Sequence, residues 1–249
     1  IKIQSVYAKN ISDNILYLRV TSFDKKVVKG VEKELKKPAN KNKGIILDLR
    51  NNPGGLLDQA VGLVDLFVQE GVIVSQKGRD KEEEKTYSAK PSGTYSEAPI
   101  VVLVNEGSAS ASEIVSGALQ DHKRAVIVGE NTFGKGSVQV ILPITETEAI
   151  KLTIARYYLP SGRTIQAVGV KPDVEVHLGE IKNYTSGYSI KEADLKKHLE
   201  SELAKVNGDK PKEEEAKNKN LITEEDLNKD LQLKEAVGIA TALQIMKGR

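Results

Sequence analysis

The stretch GIILDLRNNPGGLLDQAVGLVDLFVQE, residues 44–70, decides the fold class. Residues 44–50 form a continuous apolar run, which is typical of a parallel strand buried on both faces. The sequence NNPGG interrupts this run, and residues 56–70 then repeat apolar side chains at helical spacing. Strand, tight turn and helix in succession predict one βα unit of a parallel sheet.

A second βα unit follows with the same order of features. PIVVLV, residues 99–104, predicts another buried strand, which leads through NEGSAS into a helix over 112–122. We therefore predict an α/β fold whose core, residues 1–178, is a mostly parallel sheet carrying helices. Further elements are predicted as strands at 14–20, 125–129, 137–144 and 149–160, and as a helix at 24–37.

The composition changes after the core, in residues 179–249. NGDKPKEEEAKNKN, residues 207–220, is highly charged and predicts a linker. Residues 223–247 predict an amphipathic helix, capped by Thr223. An apolar stripe needs a partner surface, so we expect this region to form a homodimer. The stripe consists of Leu227, Leu231, Val237, Ala240 and Leu243.

The overall composition excludes several classes of function. Lys and Arg total 37 against 35 for Asp and Glu, so the net charge of +2 gives no electrostatic reason to expect nucleic-acid binding. The absence of cysteine excludes a disulfide framework and thiolate chemistry. No apolar run approaches the roughly 20 residues of a membrane span.

The loop GENTFGKGS, residues 129–137, is similar to the start of a phosphate-binding loop. Such a loop needs Ser or Thr directly after Lys135 and a helix beyond it, where the phosphates bind. Here Gly136 follows the lysine, and the next residues, SVQVILPI, alternate like a strand. Nucleotide binding is therefore disfavoured, and we predict neither a cofactor nor a metal.

Three serines lie where the second buried strand turns into its helix, in NEGSASASEI, residues 105–114. Ser110 and Glu113 have the spacing of a capping box, which alone would explain the serine. The same position also exposes a side chain at the carboxyl edge of the sheet, where a nucleophile can reach substrate.

A nucleophilic serine needs a base, which is usually histidine. His122 follows Ser110 on the same predicted helix at a distance of roughly 18 Å, given a rise of ~1.5 Å per residue. His177 and His198 lie outside the dense core in sequence. The remaining option is a lysine kept neutral by burial, and Lys135 on its glycine-flanked loop is the candidate.

Together these motifs resemble the protease core of the C-terminal processing (tail-specific) peptidases. The resemblance covers about residues 1–176 and rests on LDLRNNPGG, VLVNEGSASASEI, GALQDHKRAVIVGENTFGKGSVQ, YYLPSGRTIQ and GVKPDVEV. It implies a crotonase-like (ClpP/crotonase) fold and a Ser-Lys dyad, with Ser110 as nucleophile and Lys135 as base. It also implies a role for Gln139, whose amide would hold the amine if positions 135, 137 and 139 face the same way on a strand.

The same resemblance indicates how the reaction's oxyanion would be bound. Pro53 fixes the NNPGG turn, so the N–H groups of Gly54 and Gly55 can point outward, while the N–H of Ala111 lies next to the nucleophile. Of the two glycines we favour Gly55. Asp121 matches another position of the family, and we interpret it as structural.

The family implies an endopeptidase that cleaves proteins near exposed, unstructured, nonpolar C-termini outside the cytoplasm, without ATP or metal. Its members usually carry a PDZ domain before this core, which we do not find in the chain. Two alternatives belong to other classes: a non-catalytic scaffold on the same fold, and the acyl-thioester chemistry of crotonases proper. The pair Ser110 and Lys135 would have no role in either.

Overall fold

The computed structural model describes residues 4–11, 14–40, 43–79, 84–91, 97–180 and 221–247. The strands of this part of the chain are β1 (Val6–Ile11), β2 (Ile15–Val20), β3 (Gly44–Asp48), β4 (Val72–Gly78), β5 (Lys85–Ser88), β6 (Ile100–Val104), β7 (Ala125–Gly129), β8 (Ser137–Pro143), β9 (Ala149–Tyr158) and β10 (Val174–Glu175). Its α-helices are α1 (Val27–Leu35), α2 (Leu57–Asp65), α3 (Ala111–Asp121), α4 (Glu224–Asn228) and α5 (Leu231–Lys247). None of these helices is long and apolar enough to cross a bilayer.

A central sheet has the strand order β1–β2–β3–β6–β7–β10. Its neighbours from β2 to β10 pair in parallel, and β1 pairs antiparallel with β2 at one edge. Every residue of β3 and of β6 is buried, which explains their uninterrupted apolar sequence. The predicted mixed α/β fold with two βα units is confirmed.

A second, four-stranded sheet has the order β5–β4–β9–β8 and is antiparallel throughout. We had predicted β8 and β9 as strands of a single, mostly parallel sheet, and this was wrong. The connection between them is only residues 144–148, and so short a loop can join antiparallel neighbours but not parallel ones. β8 lies at the edge of this sheet and pairs with β9 alone among the described strands.

The helices α1, α2 and α3 cover one face of the central sheet. Because side chains alternate along a strand, every second residue of β2, β3 and β6 faces these helices. The resulting core contains Leu16, Leu18, Val20, Ile45, Leu47 and Val102 from the strands and Val27, Val31, Leu63, Val64, Ile114 and Val115 from the helices.

The C-terminal helices cover the opposite face of the sheet. Leu233, Ala236 and Ala240 of α5 are buried there, and Leu227 of α4 joins the same cluster. Their partners on the strands are Ile15, Tyr17, Ile46, Val101, Leu103 and Val128. The apolar surface that we expected to drive dimerisation is thus used on the chain's own sheet. The charged residues 207–220 and His198 lie outside the described residues.

The predicted single helix over 223–247 is divided between Asn228 and Leu231. Asp230 separates the two helices, and its carboxylate accepts a hydrogen bond of 3.0 Å from the N–H of Leu233, so it caps α5. This second cap marks the start of a separate helix. As a result Leu231 and Val237 of the predicted stripe are only half-buried, whereas Leu233 is buried.

If α5 belongs to the core, enlarging a buried alanine should separate it from the sheet. We expect Ala240→Leu to lower the free energy of unfolding by about 1–3 kcal/mol, because the site has no room for the larger side chain. Urea denaturation measures this. The matched control is Ala242→Leu at an exposed position of the same helix, which should stay within about 0.5 kcal/mol of the parent. Equal losses of unfolding free energy in the two variants would contradict the packing of Ala240 against the sheet.

Candidate active site

Three loops meet at the carboxyl edge of the central sheet. They follow the neighbouring parallel strands β3, β6 and β7 and consist of residues 49–56, 105–110 and 130–136. The first contains the NNPGG turn. The second, residues 105–110, leads to Ser110 and is called the serine loop, and the third, residues 130–136, carries Lys135 and is called the lysine loop. Parallel strands place their carboxyl ends at the same edge, where α/β proteins usually bind ligands. The structure therefore brings together the sequence segments predicted to form the site.

The NNPGG turn and the serine loop are joined by side-chain amides. The N–H of Asn51 donates to Oδ1 of Asn105 at 2.8 Å, and Nδ2 of Asn105 donates to Oδ1 of Asn51 at 3.0 Å. The carbonyl of Asn52 accepts from the N–H of Ala109 at 3.0 Å and from the hydroxyl of Ser112 at 2.9 Å. These bonds fix the two loops relative to each other before any substrate is present.

Ser110 has a backbone conformation that non-glycine residues rarely adopt. Its φ is +54° and its ψ is −108°, at the sharp turn from the loop after β6 into α3. Glu113 completes its half of the predicted capping box by accepting the N–H of Ser110 at 2.7 Å, and its own N–H donates to the carbonyl of Ser110 at 2.9 Å. A strained serine between a strand and a helix is the arrangement that presents a nucleophile in α/β hydrolases. Strain of this kind is concentrated at functional sites.

Gly54 approaches this serine so closely that no side chain fits between them. A Cβ atom on Gly54 would lie 2.7 Å from the carbonyl oxygen of Ala109 and 2.9 Å from Cβ of Ser110. The φ of Gly54 is +100°, which a residue with a side chain adopts only with strain. The turn therefore requires glycine here for both conformation and contact.

Glu113 connects the serine to the lysine loop. Its carboxylate is fully buried and accepts four hydrogen bonds. Oε2 accepts from the backbone N–H of Ser110 at 2.7 Å and from that of Lys135 at 2.8 Å. Oε1 accepts from the hydroxyl of Thr132 and the N–H of Gly134, both at 2.6 Å. One oxygen atom thus holds the backbones of both dyad candidates.

The N–H groups of the lysine loop are occupied by acceptors within the protein. Residues 132 to 136 donate, in order, to the carbonyl of Val170, the carbonyl of Ser108, Oε1 of Glu113, Oε2 of Glu113 and Oε1 of Gln166. A phosphate cradle needs such N–H groups free. The glycines serve close packing instead, since a Cβ on Gly136 would lie 2.6 Å from the backbone nitrogen of Gln166. These contacts argue against the phosphate-binding interpretation.

The Lys135 side chain is half-buried. No carboxylate of the described residues pairs with its ammonium group. Gln139 is exposed on β8, and its amide donates to the hydroxyl of Thr153 on β9 at 3.4 Å. The pairing of β8 with β9 shifts register between Val138 and Gln139. The extra residue, Ile154, is on β9, and the Gln139 amide makes no bond to Lys135 in the described part of the chain, so its role beside the amine stays a prediction.

Two of the three predicted oxyanion donors have no acceptor in the described part of the chain. The N–H of Gly54 donates to Oδ1 of Asn52 at 2.9 Å, so it is already used to close the turn. The N–H groups of Gly55 and Ala111 make no hydrogen bond with the described residues. Gly55 is exposed, and Ala111 directly follows Ser110.

The other titratable candidates have structural contacts. Asp121 is bonded to Nη2 of Arg163 and to the N–H of Ser161, both at 3.0 Å, and so holds the loop after β9. His122 contacts the carbonyl of Val72 at 2.7 Å through Nε2. His177 is exposed on the surface beside Glu130. None of these contacts involves Ser110 or Lys135.

The sequence model of peptidase family S41 matches residues 14–176, which include all three loops. The chain belongs to this family. The resemblance inferred from the motifs is thus confirmed.

Relatives of this S41 chain include named C-terminal processing proteases. The carboxy-terminal-processing protease of Bartonella bacilliformis is 45% identical over 206 residues, which cover 80% of this chain and 47% of the relative. The carboxy-terminal processing protease CtpA of Bacillus subtilis is 35% identical over 179 residues, covering 72% of this chain and 38% of the relative. The chain spans about half or less of the length of such relatives.

A solved structure agrees with the sequence relatives. The photosystem II D1 C-terminal processing protease superposes with a TM-score of 0.65 at 33% identity, over 71% of this chain and 49% of that protein. A putative S41 protease from Bacteroides fragilis superposes with a TM-score of 0.59 at 17% identity, which shows similarity of fold alone.

Glu113 offers a direct test of the site's construction. Glu113→Gln replaces one acceptor oxygen by an NH₂ group, which then faces two donors. We expect the free energy of unfolding to fall by about 1–3 kcal/mol, the usual penalty for buried donors left unpaired. The control is Glu106→Gln, an exposed position of the serine loop, which should have no measurable effect on urea denaturation. A Glu113→Gln variant as stable as this control would contradict the four-bond arrangement.

Proposed function

We propose that this S41 chain is a serine endopeptidase with a Ser110–Lys135 dyad that cleaves proteins near exposed, nonpolar C-terminal tails. The observation that carries the proposal is the strained Ser110, whose backbone shares one carboxylate oxygen with that of Lys135. Family membership and the names of the relatives support it. The family resemblance supports a crotonase-like fold and a location outside the cytoplasm for such an enzyme.

The first chemical step forms an acyl-enzyme. The Ser110 oxygen attacks the carbonyl carbon of the scissile peptide bond, and the Lys135 amine accepts the hydroxyl proton. The N–H groups of Gly55 and Ala111, which donate to no acceptor among the described residues, bind the developing oxyanion. When the tetrahedral intermediate collapses, Lys135 returns the proton to the leaving amine.

Water completes the reaction in a second step. Lys135 removes a proton from the water as it attacks the acyl carbon, and the proton passes to the Ser110 oxygen as the ester bond breaks. Both steps use only side chains and backbone N–H groups of this chain, so the mechanism requires neither ATP nor a metal. Lys135, which is half-buried, must be neutral to accept these protons. Gln139 would hold that amine in position.

Substitution of the dyad tests the mechanism. Ser110→Ala, Lys135→Ala and Lys135→Arg should each lower cleavage of a peptide with a nonpolar C-terminus by about 10⁴-fold or more. The arginine variant fails because a guanidinium stays charged and cannot accept the proton. Ser108→Ala and Ser112→Ala should keep labelling by a fluorophosphonate, since their hydroxyls are bonded to the carbonyls of Leu49 and Asn52. Labelling of the Ser110→Ala variant by the fluorophosphonate would contradict the role of Ser110 as the nucleophile.

The dependence of the rate on pH tests the role of the lysine separately. A general base must be neutral, so the cleavage rate of the parent chain should rise with pH as the amine loses its proton. A pH–rate profile of single turnovers measures this. A rate that is flat or falls over the alkaline range, with the protein still folded, would contradict a lysine base, whereas no cleavage at any pH would favour a non-catalytic scaffold.

The preference for nonpolar, unstructured tails is supported by the β8–β9 hairpin. β8 starts two residues after Lys135, and its outer edge is unpaired among the described strands, so an extended peptide can add to it. Residues directly opposite in the pairing share a face, which gives one apolar face to the distal hairpin. This face consists of Val140, Leu142, Ile150 and Leu152, and the last three are each nearly half exposed.

Polar substitutions on this face should weaken substrate binding more than the chemical step. We expect Leu142→Thr and Ile150→Thr each to raise KM for a nonpolar-tailed peptide about fivefold, because less apolar surface is removed from water, and to leave kcat nearly unchanged. Steady-state kinetics measures both. The control is Lys151→Ala on the opposite face of the hairpin. Unchanged KM in both threonine variants would exclude this face from tail binding.

A further inference from the structure

A buried network joins the C-terminal helices to the end of β3. Arg50, which directly precedes the NNPGG turn, is 8% exposed, and Asp48 at the end of β3 is fully buried. The guanidinium donates to Asp48 through Nε and Nη2, the latter at 2.7 Å. Nη1 and Nη2 donate to the two carboxylate oxygens of Asp230, each at 2.8 Å, and Nη1 also reaches Oε1 of Gln232 at 3.1 Å. One planar group is thus held between two carboxylates.

The charges in this network are matched. Burial lowers the pKa of Arg50, but its hydrogen bonds to Asp230 and Asp48 outweigh burial and raise the pKa above its ordinary value. Burial likewise raises the pKa of Asp230, and the hydrogen bonds from Arg50 and Leu233 outweigh it and hold the pKa below its usual range. Arg19, at 3.8 Å from Asp48, balances the second carboxylate. Asp230 is therefore ionised at neutral pH.

Arg50 is linked to the NNPGG turn through a short chain of hydrogen bonds. Its own N–H donates to Oδ1 of Asp48 at 2.9 Å, so the backbone and the guanidinium are fixed by the same carboxylate. The next residue, Asn51, has a φ of +58° and donates its N–H to Asn105. Asn52 then bonds to the carbonyl of Leu49 at 3.2 Å and accepts from Gly54. The backbone is thus held by hydrogen bonds at Arg50, Asn51, Asn52 and Gly54.

We propose that Asp230 is a positioning residue for the reaction, which sets the NNPGG turn by clamping Arg50 from the C-terminal helix. The inference rests on the proposed function of that turn as an oxyanion hole. Asp230 lies 180 residues from Arg50 in sequence and is the only described residue outside β3 that bonds the guanidinium at two oxygens. The C-terminal helices are accordingly part of the catalytic apparatus, although they contribute no group to substrate.

The Asp230→Asn substitution distinguishes the positioning of the NNPGG turn by Asp230 from its capping of α5. Asparagine caps helices as well as aspartate does, so the bond to Leu233 can persist, but the bidentate ion pair is lost. We expect kcat to fall about tenfold or more with KM within twofold, because small displacements of catalytic groups have large effects. Inhibition by a peptide aldehyde, whose adduct with Ser110 needs the oxyanion donors, should weaken by a similar factor. Val31→Ala, in the core on the opposite face, is the control for lost stability and should leave both values unchanged.

A measurement without cleavage keeps the inference independent of the proposed activity. Amide hydrogen exchange at Asn51, Asn52 and Gly54 should accelerate in Asp230→Asn and stay as in the parent in Val31→Ala. If the parent cleaves no peptide, the proposed function fails, and the exchange rates still decide whether Asp230 sets the turn. Unchanged exchange at these amides, or equal losses of kcat in the two variants, would overturn the inference.

Discussion

The buried carboxylate of Glu113 is the interaction on which the site depends. A charge without access to water is costly unless hydrogen bonds replace its hydration, and here four donors do so. The position near the start of α3 adds the favourable field of the helix N-terminus. Because the donors come from the serine turn and from the lysine loop, satisfying this one charge requires the two loops to adopt their relative placement. The strained conformation of Ser110 is maintained by the same bonds.

Polar contacts at the sheet edge form a continuous framework around this carboxylate. The amide pair of Asn51 and Asn105 holds the glycine turn against the serine loop, and the glycine at position 54 allows the two backbones to touch. Arg50 extends the framework to the other face of the sheet, where α5 packs on β3 and β6. This edge of the sheet is thereby fixed from both helical layers, so its geometry depends on the packing of the described helices on both faces of the sheet.

Much of this arrangement could be predicted from the sequence, because apolar runs and turn residues report local structure. The two βα units, the serine at the start of α3 and the strand after Lys135 follow from such patterns. The second sheet was missed because alternation shows that a segment is a strand but not which sheet it joins. The second role of Glu113 was also missed: its spacing from Ser110 indicated a cap, and its remaining donors come from about 20 residues further on. Long-range pairs such as Arg50 and Asp230 leave no local signal.

The position of α5 in the chain has a consequence for biosynthesis. Ile46, Val101, Leu103 and Val128 are synthesised long before α5, the helix that covers them. Chains grow from the N-terminus, and contacts between distant segments form slowly. One face of the sheet is therefore uncovered until the residues of α5 have been synthesised. During that interval the central sheet presents to its surroundings an apolar face that the finished fold conceals.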